Sequence, residues 1–407
     1  MWLAACTGRR YTSTVANAAF SSYFFHNGQW LASKSTARSR PQLLRLNQPV
    51  SPRVPTAAFK KVEISSPSQL LGLYAQLSKP HLSILVCLTA MGGVALSPLP
   101  TTVPTLLSTA IGTALCASSA NALNMLQEVP FDAQMARTQS RPLVRKVISP
   151  LHATIFAVTT GVAGPALLWT MVNPTTAILG LSNIVLYAGI YTWMKRKSIW
   201  NTWVGAIVGA IPPAMGWTAC GGQLFPSISS FPLFLPEFLS SSPVDISVLD
   251  SPLAPFVLPM LLFSWQFPHF NSLSYFVRGS YAQAGYRMLS VLDPRKNALV
   301  ALRHAILLTS ICSILVPLSG LTTWAFAFTS LPPNLVCVQA AWKWWQQGGE
   351  KQARVVFRHS LWYLPLILGL MMVHKQGVDW LQWIGVREKK KETVDTNLSL
   401  NAVNARS

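Results

Sequence analysis

Between residues 82 and 374 the acidic residues are Glu128, Asp132, Glu237, Asp245, Asp250, Asp293 and Glu350, and the first two share one segment, NALNMLQEVPFDAQMARTQSRPLVRK. In that segment Asn124, Glu128 and Asp132 are spaced by four. On a helix each lies about 40° round from the last and about 6 Å further along, so three oxygen-bearing side chains share one face. Hard divalent ions such as Mg²⁺ take ligands of that kind. Pro130 lacks a backbone N–H and disfavours a straight helix, so Asp132 is expected on a bent helix end. The backbone groups freed there must face protein or a polar cavity rather than lipid. Arg137, Thr138, Arg141, Arg145 and Lys146 follow at once, and such cations suit phosphate oxygens. Two readings fit carboxylates beside cations. One places a metal on the acids with a polyanion between metal and arginines; the other is a set of internal salt bridges in an ordinary loop.

The elements that must position these residues are apolar. Mean hydropathy is +0.36, and 11% of the 407 residues are charged against 51% hydrophobic, where a soluble domain carries about 25% charged. Tryptophans outnumber acids, 15 to 12, and surplus Trp suits membrane interfaces. After Lys79 nine apolar runs of spanning length are expected, at about 81–98, 103–126, 149–171, 174–193, 202–220, 254–275, 298–317, 320–342 and 357–374. The net charge of +20 is sorted along them. Gaps after spans two, four, six and eight hold Arg137, Arg141, Arg145 and Lys146; Lys195, Arg196 and Lys197; Arg278, Arg287, Arg295 and Lys296; then Lys343, Lys351, Arg354 and Arg358, whereas the odd gaps hold no Lys or Arg. That alternation puts the even gaps and the N-terminus on one positive side. It is a topology signal, and nucleic acid is not an expected partner. The six cysteines show no CxxC spacing, so neither disulfides nor a zinc site is expected.

Residues 1–62 are rich in Arg and Ser, and the first acid is Glu63, the pattern of a mitochondrial transit peptide. The positive side is then the matrix side of the inner membrane. Residues 63–375 form the expected membrane domain, with 221–253 an external loop insertion and 376–407 a disordered polar tail.

The run NMLQEVPFDAQMARTQSRPLVRKVISP resembles the signature of the protoheme IX farnesyltransferases, a mitochondrial branch of the UbiA superfamily. LYAQLSKP, YTWMKRKSIWNTWVGAIVGAIPPAMGWTA and SWQFPHFNSLSYFVRGSYAQAGYRMLSV agree in order. The resemblance covers about residues 70–375 and implies an all-α integral membrane fold, a bundle of about nine transmembrane helices around a central cavity. It implies transfer of a farnesyl group from farnesyl diphosphate to a vinyl group of heme b, giving heme O for heme A synthesis and oxidase assembly. Mg²⁺ is the implied cofactor; the implied partners are farnesyl diphosphate, heme b, the lipid bilayer and heme A synthase. Asn124, Glu128 and Asp132 match the family's metal and diphosphate positions. Arg137, Arg141, Lys195, Arg196, Arg278 and Tyr281 match positions near the diphosphate, and His269 matches a family His associated with heme.

The chain also departs from that pattern. Where the family reads Arg, acid, Asp, Tyr after span six, this chain reads Arg278, Gly279, Ser280, Tyr281, without the second acidic half of the metal site. Trp193 replaces a family Pro, and His81 replaces an Arg. Two alternatives to an active heme-directed enzyme follow: a catalytically impaired paralogue with a heme-binding or assembly role, and a UbiA enzyme acting on a quinone precursor.

Overall fold

Helix starts in this chain carry their own signals: Ser66, Thr102, Ser149 and Asn173 each accept a hydrogen bond from the first helical turn, and each is followed by proline at the first or second helical position. Proline is at home there because its missing N–H would be unpaired anyway. The computed structural model describes residues 66–225, 233–236, 248 and 251–378. The expected transit peptide, most of the 221–253 insertion and nearly all of the polar tail lie outside the described residues.

The described chain is helical. A short helix α1 (Pro67–Ser78) leads through a 61° bend into α2 (Pro80–Leu96). Then come α3 (Val103–Asp132), α4 (Pro150–Met171), α5 (Pro174–Met194), α6 (Asn201–Ala219) and α7 (Ala254–Phe276). Two short pieces, α8 (Arg278–Gln283) and α9 (Leu289–Leu292), precede α10 (Pro294–Leu318). The chain ends in the short α11 (Ala325–Thr329), then α12 (Leu331–Gln347) and α13 (Gly349–Val373).

Five of these, α3, α4, α5, α10 and α13, are long and apolar enough to cross a membrane, and α1 with α2 makes a sixth if the bent pair is one span. The remaining long helices pack beside them: α6 against α2, α5 and α7; α7 against α10 and α13; α12 against α10 and α13. The outer surface is apolar, with Ile84, Leu85, Ile111, Val158, Val162 and Ile178 exposed, whereas Asn121, Asn124, Glu128, Asp132, Asn271 and Asn297 are buried. Apolar outside and polar inside is the arrangement lipid favours. At the α2–α6 crossing a Cβ on Gly93 or Gly216 would collide with the Pro213 or Ala90 carbonyl, so small residues set that close approach.

Most expected spans fall on helices to within a few residues. The eighth and ninth shift. Residues 320–330 form a turn and α11 rather than membrane helix, and α12 and α13 meet across Gly348 alone. Gly348 and Gly349 adopt φ of 65° and 81°, a region open to glycine, which permits so tight a reversal. The expected basic gap is therefore helical: Lys343 lies on α12, and Lys351, Arg354 and Arg358 lie on α13. Long Lys and Arg stems let a helix run on while their charged heads reach water.

Candidate active site

The 30-residue α3 has two contrasting faces. Leu106, Leu107 and Ile111 are exposed, while Asn121, Asn124, Glu128 and Asp132 form a buried polar stripe. The helix continues through Pro130 and ends at Asp132. Side chains beyond the end then satisfy freed carbonyls: Thr138 Oγ1 donates to Asp132 O at 2.8 Å, and Gln139 Nε2 to Ala133 O at 3.2 Å.

Cations converge on that stripe from three elements. Lys79, at the α1–α2 bend, donates to Asn124 Oδ1 at 2.7 Å. Lys195, just past α5, donates to Glu128 Oε1 at 2.7 Å. Arg141, in the loop after α3, donates to Asp132 Oδ2 and stands 3.8 Å from Glu128 Oε2. Two cations, Arg141 and Lys195, thus pair with two carboxylates, while burial and the nearby Arg141 pull the Lys79 amine down to about 7. Asp132 Oδ1 is buried and accepts no hydrogen bond.

Local backbone departures make the convergence possible. Lys79 has φ 49°, an uncommon value for a residue with a Cβ, and it sits where α1 turns into α2. Residues Val185–Tyr191 of α5 form a π-helical turn, a distortion that concentrates at functional sites. It lets Thr192 Oγ1 donate to Tyr187 O at 2.8 Å while accepting from Asn124 Nδ2 at 3.0 Å. Lys195 Nζ lies 4.7 Å from the Tyr191 ring centroid, within cation–π range.

Burial opposes the charge on Lys195, but the Glu128 carboxylate outweighs it and holds its pKa well above the usual lysine value. Burial likewise opposes the charge on Arg141, and Asp132 and Glu128 outweigh it. Both side chains stay cationic at physiological pH.

The other expected residues separate into groups. Arg137 is exposed. Arg196 lies over the Phe131 ring at 4.7 Å. Arg278 turns back onto α7, donating to Tyr275 O at 2.7 Å and covering the Tyr275 ring at 4.1 Å. Tyr281 is buried, edge-on to Tyr286 at 5.8 Å. His269 sits on α7, where its Nδ1 pairs with Ser360 Oγ at 2.9 Å and its ring stacks on Trp265 at 4.7 Å with Phe357 at 5.1 Å. Those contacts lie on α7 and α13, apart from the carboxylates.

Gly279 and Ser280 supply no carboxylate, and a Cβ on Gly279 would meet open space. Asp293 accepts from Lys296 N at 2.8 Å as the cap of α10. Among the described residues no group of three His, Cys, Asp or Glu side chains is placed to hold a metal. The α3 stripe nevertheless suits one hard ion. Mg²⁺ is commonly held by one or two carboxylates and completed by substrate oxygens and water, and the unpartnered Asp132 Oδ1 is an oxygen that such an ion would satisfy.

Sequence reasoning missed Lys79, Thr192 and Tyr286. The signal for Lys79 was present in LYAQLSKP, a lone cation immediately before an apolar run. Thr192 and Tyr286 stand inside YTWMKRK and YAQAGYRMLSV, stretches that resemble the family, but the resemblance attaches no role to either residue.

A helical membrane bundle with a buried carboxylate and cation cluster defines a class, and the comparison with known proteins agrees: the chain belongs to the UbiA prenyltransferase family, which matches residues 85–362. Within that family it is similar to proteins named protoheme IX farnesyltransferase, mitochondrial. The one from Gibberella zeae is 40% identical over 369 residues, 86% of this chain and 71% of that protein. The one from Yarrowia lipolytica is 43% identical over 335 residues, 78% and 65% of the two chains. The human one is 43% identical over 307 residues, 75% and 63%. A structure of digeranylgeranylglyceryl phosphate synthase superimposes with a TM-score of 0.58 at 13% identity, over 75% of this chain and 98% of that one. A UbiA homolog from Aeropyrum pernix gives 0.50 at 17% identity, over 72% and 97%. These two likenesses concern the fold alone. With its apolar helices and its mitochondrial relatives, the chain is a multi-pass mitochondrial membrane protein.

Proposed function

We propose that this chain transfers the farnesyl group of farnesyl diphosphate to a vinyl group of protoheme IX, giving heme O that feeds heme A synthesis and oxidase assembly. The names of its relatives support the substrates. The carrying observation is the buried stripe with Asp132 Oδ1 unpartnered, met by the Lys79 amine and the Arg141 and Lys195 cations.

In this reading the C1–O bond of farnesyl diphosphate breaks, the diphosphate leaves with the bonding pair, and the vinyl group captures the allylic cation. Water then adds to the cation left on the heme side and releases a proton, giving a hydroxyethylfarnesyl substituent. Glu128 and Asp132 would hold Mg²⁺, joined by Asn124 once Lys79 turns from its amide oxygen. The ion supplies positive charge where the departing diphosphate gathers negative charge. Arg141, part-buried, and Lys195, buried, orient the diphosphate as permanently charged donors, with Arg137 and Arg196 at its approach. Tyr187, Tyr191 and Phe131 line the same region, and each ring facing the allylic cation contributes about 0.5–2 kcal/mol. His269, held between Trp265 and Phe357 with its Nδ1 on Ser360, would offer its other ring nitrogen to the porphyrin. The α3 end faces the matrix in this reading, with the N-terminus on the same side and heme A synthase as the receiver of product. Arg278 and Tyr281 stay assigned to the diphosphate side, Tyr281 by its contact with Tyr286.

The test is expression in cells lacking their own heme O synthase, followed by heme extraction. Heme O in the extract is the expected result. Its absence despite stable membrane insertion would leave the impaired-paralogue reading, which Gly279 and Ser280 favour.

A further inference from the structure

Tyr286 closes the site opposite the α3 stripe. It follows Gly285, whose φ of 71° is a left-handed value that glycine adopts without strain. That turn lets Tyr286 N donate to Tyr281 O at 2.9 Å. The next residue ties the turn to the α5 end: Arg287 N donates to Lys195 O at 2.9 Å, and Arg287 O accepts from Asn201 Nδ2 at 3.2 Å. The Tyr286 ring packs against Phe131 at 5.8 Å and lies 6.0 Å from Lys195 Nζ.

The hydroxyl of that ring has no partner. Tyr286 is 4% exposed and its Oη makes no hydrogen bond. Buried hydroxyls are normally paired, and one left unpaired costs stability. Its ring stands against the cluster, 6.0 Å from Lys195 Nζ, and burial pushes the phenol well above the usual tyrosine value, so it keeps its proton. Two buried, unpartnered polar atoms therefore belong to one site: an acceptor, Asp132 Oδ1, and a donor, Tyr286 Oη. A metal ion answers the first. An anion with several oxygens answers the second, and such an anion also suits the N–H donors of Lys79, Arg141 and Lys195 beside it.

Resting on the proposed prenyl transfer, we infer that Tyr286 is a substrate-binding residue whose neutral hydroxyl donates a hydrogen bond to an oxygen of the bound diphosphate. No proton is transferred in this role; the phenol remains a donor before and after the C1–O bond breaks. Its ring covers the cluster from the side that lacks carboxylates, and its hydroxyl adds a donor there without adding charge.

The test is Tyr286→Phe in the full chain, purified into lipid nanodiscs with Mg²⁺. Inorganic pyrophosphate and, separately, heme b are titrated by calorimetry, and the ligand-free protein is melted. The expected result is about tenfold weaker pyrophosphate binding, the loss of one hydrogen bond to a charged group, with heme b affinity unchanged. The ligand-free melting temperature is expected to hold or rise, because the variant removes an unsatisfied buried group. Equal pyrophosphate affinity in both proteins would overturn the inference while leaving the proposed function intact. A lowered melting temperature with unchanged pyrophosphate affinity would assign Tyr286 to packing and overturn it also. If the wild-type chain itself binds no pyrophosphate, the diphosphate site fails and the inference fails with it.

Discussion

The segment at the end of α3 and the segment after α7 meet across one site, and they supply opposite things. The first brings Glu128, Asp132 and Arg141 into ion pairs with Lys195 completing them. The second, where a carboxylate pair stands in the resembled family, brings Gly279 and Ser280 followed by Tyr281 and Tyr286, which join Met288 and Met135 in an apolar cluster flanked by Phe131. One side is a charged floor and the other an aromatic cover. In the proposed reading any divalent ion depends on the α3 side alone, and the Tyr286 hydroxyl is a neutral donor from the cover.

The contrast is most directly broken at Asp132. Asp132→Asn keeps the shape of the side chain but removes the charge, and complete loss of heme O with normal membrane insertion is expected, read by heme extraction and fractionation. Full turnover would take Asp132 out of the site. Next comes Lys195→Met, which leaves Glu128 buried with only the Arg141 guanidinium, at 3.8 Å, to pair it. Removing one partner of a buried pair costs about 3–5 kcal/mol, so a large drop in melting temperature is expected in nanodiscs, partly restored in the double variant Lys195→Met, Glu128→Gln. An unchanged melting curve would show that the pair does not hold the floor together.

How far this arrangement was legible in sequence depends on how local each part is. The α3 face was readable because a spacing of four needs only helical geometry, and the bundle was readable because run length sets helix length: α2 at 80–96 and α4 at 150–171 lie within a few residues of expectation. Lys79 was not assigned, since its bond to Asn124 joins residues 45 apart through a left-handed backbone value. Tyr286 was invisible for a similar reason, because its place is set by Gly285 and by a backbone bond from its neighbour to Lys195. The basic stretch between α12 and α13 was misplaced as a gap because charge density alone does not distinguish a loop from a helix end.

His269 tests the division of labour from another direction. Its contacts are with Ser360, Trp265 and Phe357 rather than with the charged floor. His269→Phe is expected to lower heme O formation by about tenfold, roughly 1.4 kcal/mol in the barrier, and to leave pyrophosphate affinity unchanged. A loss of pyrophosphate affinity would mean that the two halves of the site are not separable.

The smallest expected effect comes from returning a carboxylate to the cover. Ser280 is partly exposed on α8, so the carboxylate of Ser280→Asp keeps access to water. An added carboxylate supplies a hard oxygen ligand to a site with two carboxylates, and it adds negative charge beside the proposed diphosphate position. The two consequences oppose each other. The Mg²⁺ concentration for half-maximal product is expected to fall about threefold, while pyrophosphate affinity measured without Mg²⁺ falls slightly through like-charge repulsion. If the Mg²⁺ requirement is unchanged and only the Mg²⁺-free pyrophosphate affinity drops, Ser280 faces the diphosphate but not the metal, and the cover's contribution is confined to its neutral donors. If neither quantity moves, position 280 lies outside the site, and the missing carboxylate there has no bearing on activity.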